Sequence, residues 1–339
     1  MTQSLTYRQH YDPNQRVIAI TGVSSHIGTE LIKRLEKDRR YKKILAIDIC
    51  RPNIPLGKTE FHKVDLTQPT ADAAVARVLS RGEADSLVHL AFLSRPTHHA
   101  TWAHELEAIG TMHVLNACAA CHIRKVVSWS LCALYGPSPT NPNYLEETRE
   151  PECVAESRFF RDKLEAEKLA LRFQKENPQS VVTILRTAPI IGPQIDNYVT
   201  RYLSLPLVPT LMGYDPLIQL LHEEDAVGAF KLAVDADFPG IFNIAGDGVL
   251  PLSTVLSMAG LLALPIPGLF TNSLAKIMWM TQLADTPPVF LDFLRYICVA
   301  STTKTKRVMG YSPRYPIAEI VAHYAGFDKR PEITLGGRS

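Results

Sequence analysis

Residues Arg16–Gly28 read RVIAITGVSSHIG, and this stretch decides the fold class. Its first half, Arg16–Thr21, is a short run rich in apolar and β-branched residues, which predicts a buried strand. Ile27–Lys37 then repeats apolar residues at helical spacing. Gly22 permits a tight turn between the two, so the sequence predicts a strand, a turn and a helix in direct succession.

Strands and helices continue to alternate along the first half of the chain. The predicted strands are Ile44–Asp48, Phe61–Leu66, Ser86–Ala91, Lys125–Ser130, Val181–Arg186 and, later, Phe242–Ala245. The predicted helices are Ala71–Leu79, Glu105–Cys121 and Ser157–Gln174. Continuous apolar strands separated by helices are typical of a parallel sheet covered on both faces. We therefore predict an α/β protein with a Rossmann-type, doubly wound parallel sheet and a smaller C-terminal lobe.

The turn between the first strand and the first helix has the chemistry of a phosphate site. Such a turn aims backbone N–H groups and the helix N-terminus at a pyrophosphate. Gly22 permits the turn, and Gly28 permits close packing of the helix on the strand. Ser25 stands where a middle glycine would let the phosphate approach; its hydroxyl can donate a hydrogen bond although its Cβ narrows the site. His26 and Ile27 complete the predicted contacts.

Two acids follow the second and third strands. Asp48 lies twenty residues after Gly28, where a carboxylate can accept hydrogen bonds from a ribose diol. This favours NAD as the cofactor, because a carboxylate repels a 2′-phosphate. Arg51 could pair with that phosphate, which leaves NADP as the alternative. Asp65 could accept a hydrogen bond from an adenine amino group.

The charge balance and the hydropathy pattern limit the function classes. Lys plus Arg number 36 and Asp plus Glu number 34 among 339 residues, a net charge of +2, so there is no electrostatic case for nucleic-acid binding. The first residues contain no apolar signal run, and no stretch provides the 18 uninterrupted apolar residues of a spanning helix. We predict a cytoplasmic protein whose six cysteines are free thiols.

The composition of the sequence changes after residue 193, where prolines become frequent. We predict the main part of a dinucleotide-binding domain at 1–193 and a substrate-side lobe at 194–330, with some strands of the lobe returning to the main sheet. Residues 331–339 form a tail. Within the lobe, Val249–Ala284 contains a single charged residue, Lys276. Buried lobe helices are the expected structure of this segment, and peripheral contact with a membrane is the alternative.

The cysteines and histidines predict no metal or haem site. Cys118–His122 matches the spacing of c-type haem attachment, but it falls at the end of a predicted scaffold helix. His98, His99 and His104 could form a surface metal patch, but a polar loop that enters a helix explains them as well. No metal is therefore expected.

From about Val17 to Tyr315 the chain resembles the extended short-chain dehydrogenases, the NAD-dependent epimerase/dehydratase family that includes nucleotide-sugar epimerases. The landmarks are Thr21–Gly28, which resembles TGxxGxxG; Leu90, Ala91 and Phe92 after strand four; Ser130–Gly136, similar to SSxxxYG; Leu185–Pro193, similar to LRxxxxxGP; and His222–Ala226 and Phe242–Gly246. The resemblance implies NAD as cofactor, passing over Leu90 and Ala91. It also implies a homodimer paired through Glu105–Cys121 and Ser157–Gln174.

The catalytic part of the family pattern is not matched. The family moves hydride with a Tyr-x-x-x-Lys pair and a nearby Ser or Thr hydroxyl. Lys163 aligns with the lysine, which implies contact with the nicotinamide ribose. Phe159 stands at the tyrosine position and Leu131 at the hydroxyl position, and none of the twelve tyrosines has a lysine four residues later. Positioned acid–base catalysis contributes roughly 10²–10⁴-fold, so ordinary hydride transfer should be very slow.

Three hypotheses for the function follow. The first is a cofactor-binding protein without turnover, a sensor or assembly partner with a small-molecule effector such as a nucleotide sugar. The second is an active epimerase, dehydratase or reductase with a substitute acid or base, for which Tyr135, His89, His222 and Asp225 are candidates. Burial in the core is the expected role of Tyr135 and His89. The third is a membrane-associated scaffold that uses Val249–Ala284.

Overall fold

The computed structural model describes residues 15–152, 157–268, 279–281 and 287–326. The strands, in chain order, are β1 (Arg16–Thr21), β2 (Tyr41–Asp48), β3 (Thr59–Lys63), β4 (Ser86–His89), β5 (Lys125–Leu131), β6 (Val181–Thr187), β7 (Ile190–Ile191), β8 (Val208–Leu211), β9 (Leu217–Ile218), β10 (Leu221–His222), β11 (Gly240–Ile244), β12 (Leu250–Pro251) and β13 (Ala263–Ile266). The helices are α1 (His26–Glu36), α2 (Ala71–Gly82), α3 (Ala100–His104), α4 (Gly110–Ala120), α5 (Arg158–Glu176), α6 (Tyr198–Leu203), α7 (Glu223–Asp235), α8 (Leu252–Met258), α9 (Thr303–Met309) and α10 (Ile317–Ala325).

The main sheet is parallel and seven-stranded, in the order β11-β6-β5-β4-β1-β2-β3. The predicted Rossmann-type architecture is therefore confirmed. The strand order reverses between β1 and β4, and in open α/β sheets ligands bind outside the carboxyl ends of the strands at such a switch point. Three pairs of short strands, β10 with β7, β12 with β9 and β13 with β8, lie outside the main sheet.

Two apolar layers cover the sheet. On one face α1 and α7 pack through residues such as Leu31, Ile32 and Phe230, which are inaccessible to solvent. On the other face α2, α4 and α5 contribute buried side chains such as Val114 and Phe173. Burial of one such side chain stabilises the fold by roughly 1.5–3 kcal/mol, so these layers hold the strand ends in fixed positions.

Several predicted elements have different bounds in the structure, and two of these differences bear on the site. The predicted helix Glu105–Cys121 is interrupted, because Glu105–Ile109 forms a π-helical turn between α3 and α4. The predicted strand Ser86–Ala91 ends at His89 in the structure, although the N–H of Leu90 still donates to the carbonyl oxygen of Thr21 at 3.1 Å. Both changes lie beside the switch point of the sheet.

The second half of the chain supplies the edge strand of the main sheet. β11 pairs with β6 so that Phe242 lies opposite Leu185. α6, β8, α8 and α10 contribute to a separate apolar cluster, which includes Leu203, Val208 and Ile320. The predicted tail, 331–339, lies outside the described residues.

The segment Val249–Ala284 is described at 249–268 and 279–281. Leu252, Val255 and Leu256 are buried in the lobe cluster. Leu262, just before β13, is 67% exposed, and Leu264, on β13, is 45% exposed. The segment therefore packs into the lobe with one side and presents apolar side chains to solvent with the other. Within the described ranges, the helices are all too short or too polar to cross a bilayer.

Candidate functional site

The phosphate turn is shaped by its two glycines. Gly22 adopts φ +72°, and a Cβ there would collide with the backbone of Leu90 and Ala91. A Cβ on Gly28 would lie 2.5 Å from the carbonyl oxygen of Gly22. At Gly22, only glycine avoids both the collision and the strain of a positive φ. At Gly28, only glycine avoids the collision. β1, the start of α1 and the segment after β4 therefore meet at one point.

Ser25 is engaged inside the turn. Its Oγ donates to the carbonyl oxygen of Gly22 at 2.7 Å and accepts from the N–H of Gly28 at 3.1 Å, which makes it the N-cap of α1. The hydroxyl is therefore used within the turn in this conformation, and its contact with a phosphate stays a prediction. The N–H groups of His26 and Ile27 begin the helix, where backbone donors have no intrahelical acceptor and can receive an anion. The His26 ring lies 3.2 Å from a Glu223 oxygen.

Asp48 ties the end of β2 to the phosphate turn. One carboxylate oxygen accepts hydrogen bonds from the N–H and the Oγ of Ser24, both at 2.9 Å. The other accepts from the N–H of Ile49 at 2.7 Å. A ribose diol at this carboxylate would replace the Ser24 hydroxyl, because a carboxylate offers about four acceptor positions in all.

Asp65 lies after β3 in a polar turn. Its carboxylate accepts from the N–H and Oγ1 of Thr67 and from the side chain of Gln68. The hydrogen bond from the Thr67 hydroxyl is the main cause that lowers the pKa of Asp65 below its ordinary value. The acid is therefore an ionised acceptor at neutral pH, as an adenine contact requires.

His89 is a satisfied core residue. Its ring nitrogens lie 2.7 Å from Thr21 Oγ1 and 3.0 Å from Thr111 Oγ1. Burial lowers its pKa to about 4. The ring is 6% exposed and neutral at pH 7, and both nitrogens have partners. His89 therefore clamps β1 to β4 and α4, and it is not a substitute acid.

Lys163 is closed off from solvent. It is 2% exposed, and its Nζ lies 3.0 Å from Glu107 Oε1 and 3.1 Å from the centroid of the Phe92 ring. A second ring, that of Phe159, has its centroid 4.7 Å from the same Nζ. Burial lowers the pKa of Lys163 to about 8 and raises the pKa of Glu107. Phe92 itself stacks on Trp129, with ring centroids 4.4 Å apart.

The tyrosine and hydroxyl positions of the family pattern lie in an aromatic cluster. Phe159 and Leu131 are 9% and 6% exposed and belong to one apolar cluster. The centroid of Phe159 lies 5.2 Å from that of Phe160, 6.2 Å from that of Phe290 and 6.3 Å from that of Tyr198. Neither position brings a proton donor to Lys163.

Tyr135 is fully buried in a structural network. Its hydroxyl donates to Asn243 Oδ1 at 2.9 Å, and the Arg186 guanidinium stands 4.7 Å from its ring centroid. Arg186 pairs in turn with Glu167, which also accepts from Ser130 Oγ at 2.6 Å. Burial raises the pKa of Tyr135. This hydroxyl is therefore unavailable to a substrate, and the structure removes Tyr135 from the acid–base candidates.

His222 and Asp225 hold the start of α7. His222 Nδ1 accepts from the N–H of Glu224 at 3.2 Å, and its ring centroid lies 4.0 Å from that of Tyr315. Burial lowers the pKa of His222. Asp225 accepts from the N–H groups of Arg314 and Tyr315. Both side chains thus have structural partners, and a role for either in proton transfer stays a prediction.

Sequence reasoning missed two residues of the site, Glu107 and Phe92. Glu107 shares its helical face with the buried Val114 and Cys118, so the periodicity could have identified it as an acid in the core. Phe92 was noticed only as part of a landmark. Its bulk beside two small or aliphatic residues, Leu90 and Ala91, was the available signal.

Among the described residues, one group has the composition of a metal site. The ligand atoms of His104, Asp162 and Glu165 lie within 4.8 Å of one another. His104 Nδ1 and Asp162 Oδ1 are 2.9 Å apart. That direct hydrogen bond accounts for the pair without an ion. Cys118 is buried in the core beneath α4, where a thiol cannot reach a haem.

Comparison with known proteins places these observations in a family. The sequence model of the NAD dependent epimerase/dehydratase family matches residues 18–245. An uncharacterized protein of Mycobacterium tuberculosis is 33% identical over 316 residues, which cover 91% of this chain and 83% of that protein. Among solved structures, the UDP-glucose 4-epimerase of Thermus thermophilus in complex with NAD has a TM-score of 0.71 at 19% identity, covering 92% of this chain and 98% of that chain. The UDP-glucose 4-epimerase of Thermotoga maritima with UDP-glucose has a TM-score of 0.70 at 18% identity, with the same coverage. This protein is a member of the NAD dependent epimerase/dehydratase family.

Proposed function

We propose that the protein binds NAD(H) at the turn Gly22–Gly28 and does not carry out the family's ordinary hydride transfer. The observation that carries the proposal is the contrast between the glycine cradle and the aromatic cluster around Phe159 and Leu131. The cradle suits a pyrophosphate, because the two glycines let β1, the start of α1 and the segment after β4 approach closely, which places the free N–H groups of the helix N-terminus at the turn. The cluster offers a substrate alcohol no hydroxyl partner at the two aligned positions.

The chemistry behind the second half of the proposal is a matter of proton balance. When a hydride leaves an alcohol carbon for the nicotinamide, the hydroxyl proton must leave as well, and a positioned base must accept it. The phenyl ring of Phe159 has no basic atom, and Leu131 cannot hold the reacting oxygen. Lys163 is engaged with Glu107 at 3.0 Å. Dinucleotide binding can therefore persist where turnover does not.

The effector that we propose is a small molecule of the nucleotide-sugar class. This rests on the family membership and on the Thermotoga neighbour, which was solved with UDP-glucose. Pairing of two chains through α4 and α5, and a location in the cytoplasm, stay predictions from the sequence and the resemblance. Size-exclusion chromatography with light scattering would test the first, and cell fractionation the second.

The test combines binding with turnover. Calorimetry with NAD⁺, NADH, NADP⁺ and NADPH should detect binding at submillimolar concentration, with a preference for the unphosphorylated pair. The wild type and a Leu131→Ser, Phe159→Tyr double variant are then assayed on a panel of nucleotide sugars. We expect no turnover by the wild type. Turnover at about 1–10³ s⁻¹, the ordinary range for enzymes, would overturn the proposal, and a Tyr198→Phe variant would then test the hydroxyl nearest to Phe159 in the aromatic cluster.

A second candidate function, contact with a lipid surface, is favoured by one specific observation. Leu207, Met212, Leu262 and Leu264 are 45–67% exposed, and they lie on or beside the paired strands β8 and β13. Vesicle flotation would test this candidate, with a Leu262→Asp, Leu264→Asp variant as the control. Flotation by the wild type and not by the variant would support it, and equal behaviour of the two would reject it.

A further inference from the structure

The two halves of the dinucleotide site differ in how open they are. The adenosine diphosphate half lies at the glycine turn, where Gly22 and Ser24–His26 are at least partly exposed, and at Asp48, which is partly exposed. The nicotinamide half contains Lys163, and Lys163 is 2% exposed. We propose that Phe92 is a plug over Lys163, so that the resting protein recognises the adenosine diphosphate part of a dinucleotide and admits its nicotinamide ribose only when Phe92 leaves Trp129. This inference rests on the proposed function, because it concerns the same site.

The ring of Phe92 is held between two partners. One face lies nearly parallel to Trp129, with an interplanar angle of 11° and 4.4 Å between centroids. The Lys163 Nζ lies 3.1 Å from the ring centroid, a cation–π contact. A ribose hydroxyl cannot hydrogen-bond to the ammonium group along the direction that this ring occupies. Lys163 therefore cannot meet the ribose in the conformation that the structure describes.

The residues after Phe92 are tied down on both sides of the cleft. The N–H of Leu93 donates to Glu107 Oε1, the same oxygen that Lys163 contacts. Ser94 Oγ donates to the carbonyl oxygen of Asp196 at 2.7 Å. The strap Phe92–Ser94 thus runs from the π-helical turn to the loop before α6. Glu107 satisfies both the strap and the ammonium group, so the plug and the lysine are stabilised together.

The phosphate end does not depend on this strap. Gly22 packs against the backbone of Leu90 and Ala91, and the N–H of Leu90 is fixed by Thr21 at 3.1 Å. The rotation of the Phe92 side chain leaves these backbone contacts in place. Nucleotides that end at the second phosphate should therefore bind whether the plug is in place or not, and only dinucleotides should respond to it.

The experiment compares ADP with NAD⁺ by calorimetry. In the wild type we expect the two dissociation constants to agree within about threefold, because the nicotinamide riboside gains no contact with Lys163. In Phe92→Ala we expect NAD⁺ to bind about tenfold more tightly than ADP, the size of one added charged hydrogen bond, while the affinity for ADP stays unchanged. Phe290→Ala is the matched control: it removes a ring from the neighbouring cluster that does not contact Lys163, and it should behave as the wild type.

Each other result decides the matter. NAD⁺ binding tenfold or more tightly than ADP in the wild type would overturn the plug while leaving the proposed function intact, as would an unchanged ratio in Phe92→Ala. Binding of neither nucleotide to folded wild type would overturn the proposed function, and the plug with it. Circular dichroism checks the fold of each variant. Phe92→Leu, which removes the stack but keeps an apolar side chain, should shift the ratio in the same direction if Phe92→Ala does not fold.

Discussion

The phosphate turn and the aromatic cluster around Phe159 and Leu131 differ in how closely they follow the family pattern: the turn resembles it, and the cluster departs from it. The turn works through backbone N–H groups and through glycines that allow close approach. In the family pattern, the reaction end works through side-chain oxygen atoms. The aligned residues of this chain, Phe159 and Leu131, have none. If the proposed function is right, the comparison teaches that dinucleotide recognition and hydride chemistry are separable, because the first depends on backbone shape and the second on two hydroxyl groups.

The largest effect that would sharpen this comparison is expected at Gly22. Gly22→Ala adds a Cβ that collides with the backbone of Leu90 and Ala91. Backbone cannot yield as a flexible side chain can, and overpacking of this kind costs about 1–3 kcal/mol in addition to the strain of a positive φ. We expect a loss of nucleotide affinity of about 100-fold or more, equivalent to about 2.7 kcal/mol, and a lower free energy of unfolding. Calorimetry and urea denaturation measure the two effects.

Gly213→Ala is the control for that change. Gly213 has φ +84°, close to that of Gly22, but a Cβ there would meet nothing within 4 Å. The control therefore carries the backbone strain without the collision, and it should lose about 1 kcal/mol of stability and no nucleotide affinity. Equal loss of binding in both variants would show that the turn is not the nucleotide site.

A change in the aromatic cluster should lower the stability of the protein and leave its affinity for ADP nearly unchanged. Phe159→Ala removes a ring that is 9% exposed and contacts three other rings. Truncation of a buried phenylalanine costs about 3–5 kcal/mol of stability. Affinity for ADP should change less than about twofold, because the glycine turn does not contact the cluster. Tyr144→Ala, at a ring that is 54% exposed, is the control and should leave stability nearly unchanged.

Phe159→Ala and Gly22→Ala together test whether the aromatic cluster and the phosphate turn act independently. If Phe159→Ala weakens ADP binding as much as Gly22→Ala does, while the protein remains folded, the two ends are not independent. The aromatic cluster would then be part of the nucleotide site. If both variants only lower stability, the glycine turn has a purely structural role.

Much of the fold could be predicted from the sequence, because its strands and helices depend on local patterns of residues. The apolar run Arg16–Thr21, the helical spacing after Gly28 and Asp48 at the end of the second strand all report on their own neighbourhoods. The absence of a hydroxyl at Phe159 and Leu131, the two positions that the resemblance aligns with catalytic residues, stays a prediction from the sequence.

The parts that escaped depend on side chains far apart in the chain. Ser25 was expected to face a phosphate, but its hydroxyl is held by Gly22 and Gly28. The closure of Lys163 needs Phe92 and Glu107, which lie 71 and 56 residues earlier in the sequence. A π-helical turn at Glu105–Ile109 sets the position of Glu107. No periodicity argument encodes such a turn, because it is a departure from the period.

The next effect in size is a pH dependence located at the phosphate end. Burial lowers the pKa of His89 in the folded protein to about 4, from an ordinary value of 6.5. Between these values the unfolded state binds more protons, so stability rises with pH across this window and is lost as pH falls from 6.5 toward 4. The full loss from this residue is about 3 kcal/mol. His89→Gln should flatten the stability profile between pH 4 and 6.5, as measured by urea denaturation, while His99→Gln, at an exposed histidine, should not.

The smallest effect, and the finest test of the adenosine end, is expected at Asp48. Its carboxylate holds Ser24 through two hydrogen bonds of 2.9 Å and is the predicted partner of the adenosine ribose. Asp48→Asn keeps the shape of the side chain and removes the charge and one acceptor. Hydrogen bonds to a charged group contribute about 1.5–3 kcal/mol, part of which Ser24 already uses, so we expect NAD⁺ to bind about tenfold more weakly and NADP⁺ to lose less. Ser24→Ala separates the two roles of the carboxylate. It removes the hydroxyl that competes for one carboxylate oxygen, while the backbone N–H of residue 24 still donates to that oxygen, so NAD⁺ affinity should hold or improve if the ribose binds there. A loss of NAD⁺ affinity in Ser24→Ala as large as that in Asp48→Asn would mean that Asp48 acts only by tying the turn to β2, and that the ribose is recognised elsewhere.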